Sequence, residues 1–180
     1  MKRICLSLAI VALLFSACTN NKQGKIDKIR ELESVVNSKA DTVYNVAKAK
    51  ELADAYIDFA VEFPDDTAAA TCYYNAARIL MNNLNPGKAV EYFDKVIKDY
   101  PDYRRVAECM FLEAFTYDNF LKDINKAKEG YNTFISKYPN HEYADDARSL
   151  IEMLGKTPEQ ISAEFQEMQQ NDTAGVASNK

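Results

Sequence analysis

Apolar positions along the chain recur in one pattern three times. Counted from Ala89, offsets 0, 4, 7, 8 and 11 fall on Ala89, Phe93, Val96, Ile97 and Tyr100, followed by Pro101. Counted from Ala127 they give Ala127, Tyr131, Phe134, Ile135 and Tyr138, followed by Pro139. From Leu52 they give Leu52, Tyr56, Phe59, Ala60 and Phe63, followed by Pro64. These offsets describe one face of an α-helix, and the proline that follows each copy stops it. A fourth copy is weaker: Ile161, Phe165 and Met168 keep offsets 0, 4 and 7, but Gln169 and Asp172 stand at 8 and 11. A fading apolar face is what a terminal capping helix requires.

A second set of helices alternates with these. A first helix is expected from Lys25 to Val36, with Ile26, Ile29, Leu32 and Val36 inward, broken by Asn37 to Asp41 ahead of a partner from Thr42 to Phe63. Thr67 to Asn82 should present Tyr73, Ala76, Ala77 and Leu80, and Asp65-Asp66-Thr67 suits a helix start through capping and the dipole. Asn85 then caps the helix opened by Pro86, whose missing N–H costs nothing at the first turn. The next pair is Asp102 to Lys122, with Ala107, Met110, Phe111 and Ala114 inward, and Asp123 to Tyr138. The last is Asn140 to Leu154, with Ala144, Ala147, Ile151 and Leu154 inward, and Pro158 to Gln170 behind the cap Thr157. The expected class is all-α, in about four antiparallel hairpins over residues 25–170, with a disordered tail at 171–180.

The N-terminal 17 residues read as a targeting segment. Lys2 and Arg3 precede a predominantly apolar stretch, Ile4 to Phe15, and the small residues Ser16 and Ala17. Its twelve residues rise about 18 Å as a helix, short of a bilayer core of about 30 Å. Phe15-Ser16-Ala17-Cys18 resembles the lipobox of bacterial lipoproteins. That resemblance implies cleavage before Cys18, lipidation of Cys18 and a short tether over residues 18–24; acyl chains contribute about 0.8 kcal/mol per buried CH₂. Thr19 stands where the Gram-negative sorting rule would need Asp for inner-membrane retention, and no acidic run follows. The implied location is the outer membrane, facing the periplasm, with the cell surface as the alternative.

Successive copies lie 37, 38 and 34 residues apart, counted at Leu52, Ala89, Ala127 and Ile161. The tetratricopeptide repeat has a period of about 34 residues and two antiparallel helices per unit. Ala89 with Phe93 and Pro101, and Ala127 with Tyr131 and Pro139, resemble the second helix of that repeat. The resemblance implies a TPR-like right-handed superhelix whose first helices line a concave surface. It would place Tyr74, Arg78, Met81, Leu112, Thr116, Asn119 and Arg148 there, a mixture suited to an extended peptide or a partner helix. Lengthened repeats ending in Tyr-Pro or Phe-Pro on an outer-membrane lipoprotein resemble the BamD family of assembly lipoproteins and the periplasmic TPR domain associated with the Tol-Pal system. What this implies is an interaction scaffold for other envelope proteins, accessory to outer-membrane-protein assembly. The alternatives are an envelope or division coordinator and a glycan or small-ligand receptor, the last disfavoured because the chain has no Trp.

Charge and chemistry narrow this further. The net charge is −5, and −7 once Lys2 and Arg3 leave with the leader (27 acidic against 20 basic), so nothing is available to neutralise nucleic-acid phosphates. His141, the single histidine, follows Tyr138-Pro139 and reads as a solvated turn residue, because no Ser or Cys has a nucleophile motif around it. Cys72 and Cys109 lack metal-ligand spacing and read as small reduced core residues, with a disulfide as the alternative. Asp65-Asp66 and Asp145-Asp146 read as helix caps rather than acid–base pairs, and Gly87-Lys88 as a helix start rather than a phosphate loop. No enzymatic activity, cofactor or metal is expected. Asp41-Thr42-Val43, Asp66-Thr67-Ala68 and Asp172-Thr173-Ala174 resemble a short bacterial O-glycosylation pattern, with Thr173 its best candidate.

Overall fold

The computed structural model describes residues 21–38, 45–82, 84–163 and 166. The leader, Cys18, Thr42, Phe165, Met168, Thr173 and the expected tail lie outside the described residues. All regular structure within them is helical: α1 (21–36), α2 (Val46–Glu62), α3 (Ala69–Met81), α4 (Pro86–Asp99), α5 (Val106–Thr116), a π-helical turn (Tyr117–Leu121), α6 (Ile124–Lys137), α7 (Ala144–Met153) and α8 (158–163). Helices α1 to α7 pack in order as antiparallel neighbours in an all-α, TPR-like array. Helix α1 starts four residues before the expected boundary, so residues 21–24 are helical rather than tether. Lys22 pairs with Asp66, and Lys25 with Glu62 at 3.0 Å, which ties this first turn to the far end of α2.

Each second helix starts in the same way. The side chains of Asn45, Asn85 and Asp123 accept hydrogen bonds from the backbone N–H of Lys48, Lys88 and Lys126 at 3.0–3.1 Å, satisfying one of the donors that every helix N-terminus leaves unpaired. Thr157 and Gln160 form a reciprocal capping box ahead of α8. Asn45 caps α2, which therefore begins four residues later than the sequence reading.

The ends of the second helices are equally uniform. Phe63, Tyr100 and Tyr138, each followed by proline, have φ of −124°, −130° and −132° and ψ of 61°, 57° and 58°. The proline ring bars these residues from helical ψ, so the helix ends there while the residue's own N–H still reaches back four residues. Two further backbone bonds carry the chain round each corner: Asp66 to Phe63 and Ala69 to Asp66, Tyr103 to Tyr100 and Val106 to Tyr103, His141 to Tyr138 and Ala144 to His141. The corners take up residues that the periodicity had assigned to helices, so α3, α5 and α7 start two to four residues late. At the first corner Asp66 Oδ1 accepts from the N–H of Ala68 at 2.8 Å; at the third, His141 Nδ1 accepts from Tyr143 at 3.2 Å. His141 is thus not merely solvated: its ring lies edge-on to Phe134 at 5.5 Å and against Tyr143 at 5.3 Å.

Offsets 0, 4 and 7 of the recurring face are buried in all three copies, and offset 8 or 11 is partly exposed. Two hydrophobic clusters result. One joins α1 to α4 through Leu32, Phe59, Tyr73, Phe93 and Val96, and the other joins α5 to α7 through Phe111, Tyr131, Phe134 and Ala147. Ile97 and Leu112 border both. Cys72 and Cys109 are free and buried; burial pushes both thiols up to about 12, so they stay protonated and inert.

The π-helical turn has a simple cause. Ala69 and Asn85 lie 16 positions apart, whereas their counterparts Val106 and Asp123 lie 17 apart. In the first hairpin the N–H of Asn85 reaches the carbonyl of Leu80; in the second, that of Asp123 reaches Tyr117, one residue further back, at the same 2.9 Å. The additional residue is absorbed as a wider turn, as single insertions into helices commonly are. It ends on Lys122 in the left-handed region at φ 56°.

Helices α5 and α6 approach closely at Gly130, where an added Cβ would lie 2.8 Å from the Ala114 Cβ and 3.3 Å from its Cα. Gly→Ala in an exposed helix interior stabilises by about 1 kcal/mol. Here the sign should reverse, with Gly130→Ala destabilising by about 1–3 kcal/mol in urea unfolding. Lys122→Gly should stabilise by about 1 kcal/mol in the same assay, because glycine adopts positive φ without the Cβ clash.

Candidate partner-binding surface

Between α1 and α3 run two connected hollows of 350 and 380 Å³ that share Glu33, Tyr56 and Asn75. Ile26, Ile29 and Cys72 line the first, and Arg78 and Met81 the second. Ile29 and Leu32 dock α1 onto the core. Glu33 follows Ile29 by one helical turn and therefore falls on this inward side, where its carboxylate accepts a hydrogen bond from the Tyr56 hydroxyl of α2. Burial first, and then the neighbouring Glu33 carboxylate, hold the Tyr56 phenol well above its ordinary range. The groove consequently has an apolar end and a polar middle whose groups are fixed from beneath.

The residues expected on the concave face divide. Arg78 and Met81 lie together in the second hollow, Arg78 exposed and Met81 partly buried. Tyr74 is a correction: it is 2% exposed, a core residue. Its hydroxyl donates to Glu108, its ring carries Arg78 and Arg105 at 5.5 and 5.2 Å, and Arg105 pairs with Glu108 at 2.6 Å. Thr116 is also a correction, fully buried with its hydroxyl donating to the Leu112 carbonyl at 2.6 Å. Leu112 is partly buried at the border of the two clusters. Asn119, on the π-helical turn, and Arg148, tied to Asp145 and the Pro139 carbonyl, are exposed and do not line the hollows. Glu33 and Asn75 were missed. The available signal for Glu33 was a carboxylate on the otherwise apolar face of α1.

A family model described as tetratricopeptide repeat matches residues 71–103 and 108–141. The chain carries two tetratricopeptide repeats. No curated protein matches it. Both matches end at the same corner position, Tyr103 and His141, so the boundaries found in sequence coincide with the hydrogen-bonded corners. Proteins built from such repeats are protein-interaction scaffolds.

A different hollow, of 390 Å³, lies between α4 and α6 with α5 beneath it. Glu113 of α5 lines it beside Ile97, Met110 and Tyr117. No hydrogen bond or ion pair to its carboxyl is found among the described residues, and desolvation, reinforced by Asp94, pushes it up to about 7. In the unfolded chain a glutamate titrates near about 4.3. Between these values the folded state holds the proton more tightly than the unfolded state, so stability falls as pH rises through the window and levels off above it. Glu113→Gln should abolish that fall, giving a variant more stable than the parent at pH 8 and close to it at pH 4. Thermal melts across the range will check this.

Proposed function

We propose that this chain is an interaction scaffold held at the bacterial outer membrane through lipidated Cys18, facing the periplasm, with a non-catalytic role accessory to outer-membrane-protein assembly. The observation that carries the scaffold reading is the α1–α3 groove, where apolar walls from Ile26 and Ile29 lead to the fixed Glu33–Tyr56 pair and to Arg78. A surface with few, positioned polar groups on an apolar bed suits an extended segment or a helix of a partner. The membrane assignment is supported by the sequence Phe15-Ser16-Ala17-Cys18 behind its apolar stretch. Among the described residues no helix is long and apolar enough to cross a membrane.

Two measurements test this. Cys18→Ala should move the protein from the outer-membrane fraction to the soluble fraction, and continued fractionation with the membrane would overturn the anchoring. A photo-crosslinker at Met81 in intact cells should trap a β-barrel assembly protein. Recovery of peptidoglycan-bound lipoproteins instead would assign the chain to envelope coordination.

A further inference from the structure

The hollow over Glu113 has a chemistry unlike that of the α1–α3 groove. On α4, Lys98 is held by Asp94 at 2.8 Å; on α6, Lys126 is paired with Asp123 at 3.6 Å and lies over the Tyr117 ring at 4.9 Å. Glu129 and Lys137 of α6 also line the hollow, with opposite signs, and Tyr117, the first residue of the π-helical turn, is the other titratable group that faces it. Summed over these groups the charges cancel, and the Glu113 carboxyl has no direct hydrogen bond or ion pair among the described residues; Lys98, the cation that acts on it, is engaged by Asp94. Glu113 is half-buried and flanked by Ile97, Met110 and the Tyr117 ring, apolar surfaces of the kind that cover the aliphatic stem of a long cationic side chain. Gly130 and Ala114 also line the hollow, and the missing side chain of Gly130 lets α6 lie directly against α5 there.

We infer that the α4–α6 hollow is an anchor site for one arginine or lysine side chain of a partner protein, its cationic head paired with Glu113 and its stem laid across Ile97 and Met110. A cation of that reach supplies the missing charge and hydrogen bonds without displacing any existing pair. Because a bound cation favours the ionised carboxyl, binding should strengthen as pH rises from 5.5 to 8. The site shares no lining residue with the α1–α3 groove, so it stands or falls independently of the function proposed for that groove.

The test is an NMR titration of the full chain in detergent micelles, following the backbone amides of Ala114 and Gly130 at the floor of the hollow. The probe is acetyl-Gly-Arg-Gly-amide, with the neutral citrulline peptide of the same size as control. Saturable shifts are expected, with affinity roughly ten- to a hundredfold weaker for the citrulline peptide and for Glu113→Gln, the cost of removing a charge-assisted hydrogen bond. Equal binding of the citrulline peptide, unchanged affinity in Glu113→Gln, or silent Ala114 and Gly130 resonances would each overturn the inference. A second variant guards against misfolding. Thr133→Arg, at the exposed rim, should place a guanidinium of the chain's own over Glu113, raise thermal stability at pH 8 and abolish the response to the arginine peptide. A Thr133→Arg protein that responds like the parent counts equally against the site.

Discussion

The arrangement depends on a steric constraint at three residues. Phe63, Tyr100 and Tyr138 cannot continue their helices because a proline follows, and each is held at nearly the same φ and ψ. From that common exit the backbone bonds of the corner set the start of the next helix. The aromatic ring of the same residue stays at the hairpin junction: the Tyr100 hydroxyl donates to the Pro64 carbonyl at 3.0 Å, linking one corner to the preceding one, and Tyr138 packs on Phe134. One dipeptide therefore both ends a helix and positions the following hairpin. This explains why a pattern counted along single helices reports on the stacking of whole units.

Within the stack, polar groups are handled by a repeated device. A carboxylate on a first helix or its extension takes the hydroxyl of a tyrosine from a neighbouring helix: Glu33 with Tyr56, Glu108 with Tyr74 and Asp118 with Tyr131. Burial and the adjacent carboxylate raise all three phenols, so the tyrosines act as neutral donors. Large rings can thus fill the interior while their hydroxyls remain satisfied. Glu113 of α5 is half-buried like Glu33 and Glu108 but receives no tyrosine hydroxyl, and that separates a site open to a partner from a structural pair.

The second helices were legible because each has one buried face and one solvated one. In α4 the charged residues Lys88, Glu91, Asp94, Lys95, Lys98 and Asp99 leave a clean apolar stripe, and the caps Asn85 and Asp123 sit where their side chains can only serve a helix start. The first helices pack on both sides and lose that contrast. Helix α5 has only Glu108 and Glu113 as charged residues, and α3 only Arg78. An inward and an outward position then look alike, and Tyr74 and Thr116 were placed on the surface when the ring is enclosed by two guanidinium groups and the hydroxyl is satisfied by its own helix. The groove itself depends on which residues of α1 and α3 meet across nearly 40 or more positions of sequence, and local periodicity carries no such information.

The π-helical turn shows where this architecture accepts a change in length. Its additional residue lies between a first helix and its partner, and the corners on either side keep their geometry. Residues can be gained or lost inside a hairpin while the joints between hairpins remain in register. The three conformationally fixed corners thus act as fixed pitch marks, and the free ends of the hairpins as slack. Along such a chain, variation in repeat length should concentrate at the free ends, and the surfaces built between neighbouring hairpins would persist through it.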